Sequence, residues 1–365
     1  MPPLQHVNIA VIGTGGVGSV FVSQLAWLAK TSTATKPSLC YIAMIDKALY
    51  NSNYSEIEID TAIATLESKG TMPPSIPEII EYLTGAPHRV ILVDNTSAGN
   101  LAEAYPAFLK RGISIVTPNK KGFSGSYKLW EDIFNSAKAG GTLVFYESSV
   151  GAGMPIISTA KELVATGDEI TRIEGIFSGT MSYLFNTFAP TSGSSGNWSQ
   201  IVKKTKELGY TEPDPRDDLN GLDVARKMTI LGRLAGLPIE SPTAFPVQSL
   251  IPKELEGAIN GHEFLQKLDQ FDDQMKSHKI AAEKEGKVVR FVGSIDVASQ
   301  KVKVGLEFFD STHVMATLKG SDNIISFYTK RYGELPLTIR GAGAGGDVTA
   351  MGVTGDLLKV IAQLR

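Results

Sequence analysis

The segment VNIAVIGTGGVG at residues 7–18 decides the fold of this chain. Residues 7–12 are apolar except for Asn8, which is typical of a strand buried on both faces of a parallel sheet. Glycines stand at positions 13, 15 and 18, and an apolar pattern with helical spacing continues to Lys30. A strand, a glycine turn and a helix in this order fit the G-x-G-x-x-G pattern, whose backbone approaches a pyrophosphate at the helix N-terminus. The segment therefore predicts a dinucleotide site, whereas the lysine that a mononucleotide P-loop needs does not follow the motif.

Further apolar runs alternate with helical segments through the first 150 residues. The predicted strands cover residues 39–45, 89–93, 113–117 and 142–146. Uninterrupted apolar strands separated by helices predict a Rossmann-type α/β fold, with a doubly wound parallel sheet. We place this nucleotide-binding domain at residues 1–146 and expect the C-terminal helix, within residues 341–365, to complete it.

The dinucleotide pattern also asks for an acidic residue at the end of the second strand, where its carboxylate holds the ribose hydroxyls. Asp46 follows the predicted strand 39–45 and is the candidate. It stands 28 residues after Gly18, and we attribute the long spacing to a polar insertion at residues 31–38. A solvated turn aspartate is the alternative interpretation of Asp46.

After residue 147 the pattern changes to mixed helices and strands. Residues 301–308 alternate strictly, with Val302, Val304, Leu306 and Phe308 on one face, which predicts a half-exposed antiparallel strand. Residues 262–284 have the composition of one long helix. We therefore expect a second domain of α+β type over residues 147–340, which would serve substrate binding, catalysis and dimerisation.

Composition excludes several classes of protein. The 365 residues suggest two or three structural units, and the net charge of −3 lacks the excess of cations that tracks nucleic-acid phosphates. One cysteine excludes a disulfide scaffold, and the five histidines form no metal-binding pair. The uncharged stretch 7–29 contains polar residues and four glycines, so it does not predict a membrane span. We expect a cytoplasmic protein without nucleic-acid or membrane partners.

Residues 209–221, GYTEPDPRDDLNG, form the densest polar cluster, and two prolines stiffen it. The cluster leads into a predicted helix that carries Asp223 and Lys227, four positions apart and therefore on one helical face. Helix capping and a surface ion pair would explain these residues in structural terms. A rigid loop, acids and a cation that follow a dinucleotide domain also favour a substrate site.

Together these segments resemble homoserine dehydrogenase, from Asn8 to the C-terminus. The specific motifs are VTPNKK at 116–121, VGAGMP at 150–155, GIFSGT at 175–180, and GYTEPDP at 209–215 followed by DVARK at 223–227. The chain is most similar to the short fungal form, since no residues remain for the C-terminal regulatory domain of many bacterial relatives. Direct control by threonine is therefore not favoured.

The resemblance implies NAD(P)-dependent interconversion of L-aspartate 4-semialdehyde and L-homoserine, in threonine and methionine biosynthesis, by a two-fold homodimer built on the sheet that holds residues 301–308. Besides Asp46, the nucleotide contacts would come from Gly13, Thr14, Gly15, Gly16, Val17, Gly18, Thr96, Lys120 and Gly345. The substrate contacts would come from Thr180, Gly209, Tyr210, Glu212 and Asp223. Lys120, Lys227 and Asp223 would be the catalytic residues. Thr96 and Lys120 both follow predicted strands at their carboxyl ends, where α/β sheets bind ligands.

The resemblance also implies a sodium ion, held by Glu147 and by the backbone carbonyls of Val150, Ala152 and Met154. The residues themselves show a glycine-rich loop beside one acid, which is compatible with oxygen ligation of a hard cation. A plain strand-to-helix turn is the alternative.

Two other functions fit the same architecture. A dehydrogenase that acts on aspartate semialdehyde with phosphate needs a cysteine nucleophile at its substrate, whereas Cys40 is predicted as a small buried residue of the nucleotide domain. A non-catalytic NAD(P)-binding sensor would not need Glu212, Asp223 and Lys227.

Overall fold

The structure is a computed structural model that describes residues 5–33, 35–192 and 196–364. The chain forms two compact units: the described residues up to Met154 together with those from Ala344 onward, and Pro155–Gly343. The predicted boundaries, after residue 146 and before residue 341, lie a few residues earlier. The first unit retains residues 147–154 because Glu147 N donates to Asp356 Oδ2 of its last helix at 2.7 Å. Residues 1–4 and 365, which the predicted domain bounds include, lie outside the described residues.

The first unit is built on a six-stranded sheet with the order β3-β2-β1-β4-β5-β6. Its strands are β1 (Gln5–Ile12), β2 (Thr35–Ala43), β3 (Ala48–Tyr50), β4 (Val90–Asp94), β5 (Ser114–Val116) and β6 (Val144–Phe145). All neighbouring strands are parallel except β2 and β3, which pair antiparallel. This is the strand order of the doubly wound dinucleotide fold, so the predicted fold class is confirmed.

Helices pack on this sheet through apolar faces. Phe21 and Leu25 of the first helix and Leu357 of the last are fully buried against Ile9 of β1 in one core. The first helix therefore leaves β1 at the glycine turn and folds back over the sheet. The helices of this unit are α1 (Gly16–Thr31), α2 (Ala62–Lys69), α3 (Ile76–Thr84), α4 (Gly99–Glu103), α5 (Tyr105–Lys110), α6 (Lys121–Ser124), α7 (Tyr127–Gly140) and α15 (Gly346–Gln363).

The second strand differs from its prediction. β2 begins at Thr35, within the segment 31–38 that we interpreted as an insertion, and ends at Ala43 instead of residue 45; residue 34 of that segment lies outside the described residues. Ala43 pairs with Ala48, so residues 44–47 form a hairpin turn, closed by Met44 N donating to Lys47 O at 2.8 Å. The prediction was wrong because the apolar run continues to Ile45 in the sequence, whereas the backbone has already turned and Ile45 is fully exposed.

The second unit contains a five-stranded antiparallel sheet with the order β11-β10-β7-β8-β9. Its strands are β7 (Ile170–Ile176), β8 (Lys287–Asp296), β9 (Lys301–Asp310), β10 (Asp322–Thr329) and β11 (Leu337–Ala342). The predicted alternating strand is confirmed as β9, where Val302 and Val304 are buried and Lys301 and Lys303 are exposed. Residues 246–248 cover part of the free edge of β9, since Gln248 N donates to Val304 O at 2.8 Å.

Helices of the second unit pack on this sheet and carry the polar cluster. They are α8 (Ile156–Ala165), α9 (Gly179–Phe188), α10 (Trp198–Glu207), α11 (Arg216–Leu219), α12 (Leu222–Leu234), α13 (Gly261–Lys267) and α14 (Asp272–Lys284). The single helix predicted over 262–284 is wrong, because a 3-10 turn at Leu268–Phe271 separates α13 from α14. The break buries Leu268 and lets Asp272 accept a hydrogen bond of 2.7 Å from Ser199 N in the first turn of α10.

Candidate functional site

The turn between β1 and α1 has the geometry that the glycine pattern predicts. Gly13 has a φ of +95°, and a Cβ there would lie 2.8 Å from Thr96 Cγ2. A Cβ on Gly18 would overlap Gly13 O, so any larger residue would push the helix off the turn. Gly15 is exposed at the N-cap of α1 with open space beside it. The three glycines thus provide a tight turn, close helix packing and an accessible helix N-terminus for an anion.

The remaining residues of the loop lie beside the start of the C-terminal helix. Thr14 and Val17 are half-buried and Gly16 is exposed. Gly345 is the N-cap of α15, and a Cβ on its neighbour Gly346 would lie 3.0 Å from Gly16 O. Two helix N-termini therefore meet at this end of the first unit, which strengthens its preference for negative charge.

Thr96 and Lys120 follow parallel strands at the same edge of the sheet. Thr96 N donates to Asp94 Oδ1 at 2.8 Å, and Thr96 Oγ1 accepts from Ala98 N at 3.0 Å. Lys120 is half-buried at the start of α6, where its carbonyl accepts from Ser124 N at 2.9 Å. Because β1, β4 and β5 are parallel neighbours, their carboxyl ends bring the glycine loop, Thr96 and Lys120 to one edge.

Asp46 reaches this edge in a different way from the one we predicted. It is exposed in the hairpin turn between β2 and β3 rather than at the end of a strand. The end of β2 adjoins the glycine turn, since Gly13 N donates to Ala43 O at 2.8 Å. The neighbouring Lys47 donates its Nζ proton to the carbonyl of Glu67.

The turn after β6 combines one carboxylate with unusual backbone. Glu147 begins a 3-10 turn, and its side chain is 7% exposed. Ala152 has a φ of +54°, which is uncommon for a residue other than glycine and sets this segment apart from a plain strand-to-helix turn. Lys359 Nζ lies 3.6 Å from Glu147 Oε2. In the described ranges no three His, Cys, Asp or Glu side chains group as metal ligands, so a cation here would depend on backbone carbonyls.

In the second unit, Asp223 and Lys227 lie on one face of α12, as their spacing predicts. Lys227 Nζ is 2.7 Å from Asp223 Oδ2, and the side chains are 7% and 40% exposed, respectively. Lys227 Nζ also donates to the carbonyl of Phe177 at 2.6 Å, just after β7. The ammonium is therefore buried and held by oxygens from two elements. A surface ion pair, the structural alternative, does not describe it.

A second hydrogen-bonded group forms around Asp218, which sequence reasoning did not single out. Thr180 Oγ1 lies 2.6 Å from Tyr210 O and 2.9 Å from Asp218 Oδ1, which share its one hydroxyl proton. Glu212 N donates to Asp218 Oδ2 at 2.8 Å. Asp218 thus ties the start of α9 to the loop that carries Tyr210 and Glu212. Burial raises the pKa of Asp218 to about 6, and the negative charge of Glu212 adds to this effect.

The exposed parts of the cluster lie around Asp218. Gly209 follows the C-cap of α10, and its N–H donates to Lys206 O at 2.9 Å. The ring centroid of Tyr210 lies 4.9 Å from that of Tyr183. The Glu212 side chain is exposed, and its loop is stiffened by an Arg216–Asp214 ion pair of 2.6 Å. Thr180, Gly209, Tyr210 and Glu212 are therefore brought together, with a carboxylate at the accessible end.

The only cysteine, Cys40, is buried as predicted. Its thiol lies 3.4 Å from Ile9 O inside the first sheet, and burial raises its pKa to about 12. Such a thiol is not a nucleophile at neutral pH.

Comparisons with known proteins cover nearly the whole chain. Family models described as "Homoserine dehydrogenase, NAD binding domain" and "Homoserine dehydrogenase" match residues 13–147 and 155–358. A homoserine dehydrogenase of Emericella nidulans is 57% identical over 98% of this chain and 99% of its own length. A crystal structure of a Candida auris protein of unknown function has a TM-score of 0.93 at 44% identity, over 98% of this chain and 99% of its own.

A hyperthermophilic archaeal homoserine dehydrogenase mutant, solved in complex with NADPH, has a TM-score of 0.74 at 23% identity and covers 98% of both chains, which shows a shared fold. The match of both family models, the strand order, the glycine turn and a relative at 57% identity over full length all agree. The chain belongs to the homoserine dehydrogenase family.

Proposed function

We propose that the chain catalyses the reversible NAD(P)-dependent reduction of L-aspartate 4-semialdehyde to L-homoserine, a step of threonine and methionine biosynthesis. The observation that carries the proposal is the buried ammonium of Lys227, held 2.7 Å from Asp223 Oδ2 and 2.6 Å from Phe177 O. Burying an ammonium is unfavourable unless it is paired. The helix that carries Lys227 follows the loop with the exposed Glu212. This arrangement suits a role of Lys227 in binding or converting a substrate better than a role in core packing.

Bound NAD(P)H supplies the hydride that reduces the aldehyde carbon. Negative charge then develops on the carbonyl oxygen, and Lys227 Nζ can stabilise that charge and donate a proton to the oxygen. Asp223 balances the charge of Lys227 in the resting protein, while Phe177 O fixes the direction of its side chain. Lys120, at the edge of the first sheet, is assigned to the nucleotide and to the reacting carbonyl.

The substrate carries an ammonium group, which calls for nearby carboxylates. The exposed Glu212 and the partly exposed Asp223 supply them. Asp218 holds the backbone of Glu212 by a hydrogen bond of 2.8 Å, so the loop is ordered before substrate arrives. Thr180, Gly209 and Tyr210 are assigned to the same substrate pocket.

The alternative functions have less support. A phosphate-dependent aspartate-semialdehyde dehydrogenase needs a thiolate, and the Cys40 thiol is buried with a pKa of about 12. A non-catalytic sensor would have no use for the buried ammonium of Lys227 and its partner Asp223.

We propose both NAD and NADP as cofactors, because Asp46 favours free ribose hydroxyls while its exposed turn does not enclose them. The homoserine dehydrogenase solved with NADPH has the same fold. A sodium ion would bind at Glu147 and the carbonyls of Val150, Ala152 and Met154, whose hard oxygens suit it. Lys359 already places a positive charge 3.6 Å from Glu147, so the affinity for sodium should be low.

We further propose that the enzyme works as a homodimer in the cytoplasm. No helix within the described ranges has the length and apolar character to cross a membrane. The cytoplasmic location stays a prediction.

The proposed function is tested by following NAD(P)H absorbance with L-homoserine at alkaline pH. We expect nucleotide reduction with L-homoserine and much slower reduction with L-serine or L-threonine, which differ in the length or position of the hydroxyl arm. Nucleotide binding without any homoserine-dependent signal would refute the proposal and support the sensor.

A further inference from the structure

We propose that Asp94 is a positioning residue that fixes the two nucleotide loops of the first unit relative to each other. The Thr96 loop comprises residues 95–98, after β4, and the Lys120 loop comprises residues 117–121, after β5. The inference rests on the proposed function, because Lys120 is assigned there to the nucleotide and Thr96 lies at the same edge of the sheet. Asp94 itself acts through these two loops.

The carboxylate of Asp94 is fully buried and accepts hydrogen bonds from both loops. Its Oδ1 accepts from Thr96 N at 2.8 Å, and its Oδ2 accepts from Asn119 Nδ2 at 3.0 Å. Tyr105 of α5 donates its hydroxyl proton to the same Oδ2. One carboxylate therefore joins the Thr96 loop, the Lys120 loop and a helix.

The backbone of Asp94 is tied to the second loop as well. Thr117 Oγ1 donates to the carbonyl of Asp94 at 2.7 Å and accepts from Asn119 N at 2.9 Å. Both ends of the aspartate, side chain and carbonyl, thus hold residues that lead directly into Lys120.

Asn119 completes the connection between the loops. Its Nδ2 also donates to Ala98 O at 3.0 Å, and its Oδ1 accepts from Lys121 N at 3.1 Å. Lys120 therefore stands between two residues whose positions depend on the same network. A shift of either loop would break hydrogen bonds in the other.

Burial makes this network sensitive to loop position. Hydrogen bonds from Thr96, Tyr105 and Asn119 compensate the buried carboxylate of Asp94. Burial raises the pKa of Asp94, whereas the bonds from Tyr105, Thr96 and Asn119 lower it. Opening a loop would leave buried polar atoms unpaired, which is far less favourable than loss of an exposed hydrogen bond. The Thr96 loop and the Lys120 loop are therefore preorganised for nucleotide binding.

The test is Asp94→Asn, which keeps the shape and replaces one acceptor by an amide donor that faces the Asn119 amide and the Tyr105 hydroxyl. We expect NADPH affinity, measured by fluorescence titration without substrate, to fall about tenfold, as loss of a charged hydrogen bond implies. In L-homoserine oxidation, KM for the oxidised nucleotide NADP should rise by a similar factor, while KM for L-homoserine stays within about twofold. A role in folding alone would lower the active fraction and leave both constants unchanged.

The matched control is Asp168→Asn, since Asp168 is also buried and accepts from Arg331 N at 3.0 Å, but in the second unit. It should leave NADPH affinity unchanged. If Asp94→Asn does not fold, Tyr105→Phe removes one donor and should weaken NADPH binding about threefold, which is typical of one neutral hydrogen bond. Wild-type affinity in the folded variant would overturn the inference.

The two proposals fail in different ways. A wild-type protein that binds NADPH but does not oxidise L-homoserine refutes the proposed function, and the titration of Asp94→Asn still decides the role of Asp94. A wild-type protein that does not bind NADPH refutes both.

Discussion

At the scale of single residues, Lys227 is the side chain on which the proposed chemistry depends most. Lys227→Met keeps the length and removes the charge, so the developing alkoxide loses both its counter-charge and its proton donor. We expect kcat to fall about 100-fold or more. NADPH affinity should be nearly unchanged, because the glycine loop belongs to the other unit. Steady-state kinetics and nucleotide titration measure the two quantities.

The control for this variant is Lys267→Met. Lys267 also forms an i,i+4 ion pair of 2.7 Å, with Glu263, but its side chain is half exposed on α13, so kcat should stay within about twofold. Lys227→Arg should restore little activity, since the guanidinium has another shape and does not give up its proton. If Lys227→Met retained near wild-type turnover while Lys120→Met abolished it, the assigned roles would be reversed.

Sequence reasoning reached part of this site and missed the rest for a physical reason. The spacing of Asp223 and Lys227 is enough to place them on one helical face. The burial of Lys227 is not readable from spacing, because its ammonium also donates to the carbonyl of Phe177, which lies 50 residues earlier in the chain. Asp218 and Asp94 were missed likewise, since an acid in a sequence does not reveal which backbone N–H groups it will accept from.

At the scale of elements, the spacing of apolar residues predicted those strands whose sequence pattern follows directly from which of their faces are buried. The apolar run predicted β1, and the alternation of apolar and polar residues predicted β9. A strand buried on both faces is apolar along its length, whereas a strand buried on one face alternates. The hairpin of β2 and β3 and the break between α13 and α14 were missed. In both places the residue types do not change where the backbone turns. Ile45 extends an apolar run beyond the end of β2, and residues 268–271 contain no helix-breaking residue.

The hairpin turn affects the choice of cofactor. Asp46 is exposed at the end of the turn that adjoins Gly13, so its carboxylate should repel the 2′-phosphate of NADP. The neighbouring Lys47 donates its Nζ proton to the carbonyl of Glu67, so its ammonium is directed there. Asp46→Ser should raise the ratio of kcat/KM for NADP over NAD about fivefold, as one exposed like-charge contact of ~1 kcal/mol implies.

The matched control is Asp60→Ser, which removes another exposed acid of the same unit, paired with Lys30 at 2.7 Å. It should leave the ratio unchanged. If Asp46→Ser left the ratio of kcat/KM for NADP over NAD unaltered, Asp46 would not contact the ribose. Another residue would then have to hold the ribose hydroxyls.

At the scale of the whole molecule, the second sheet has one protected and one open edge. Residues 246–248 cover β9, whereas no described strand pairs with the outer edge of β11. The connection that leads into β11 exposes Leu335 at 79% and Tyr332 at 46%. An open strand edge beside exposed apolar side chains is typical of a contact surface. We therefore propose that two copies of the chain meet on the β11 side of the sheet that also holds β9.

We expect a homodimer at micromolar concentration in sedimentation velocity, and a monomer there would contradict the proposal. Leu335→Glu places a charge at the β11 surface, where burial between two subunits would leave it unpaired, so dissociation should become measurable and the dissociation constant should rise about tenfold or more. Met72→Glu is the matched control, because Met72 is equally exposed, at 79%, but belongs to the first unit. If both variants remained dimeric with the same affinity, the β11 edge would not be the interface, and the dimer would have to form through another surface of the sheet.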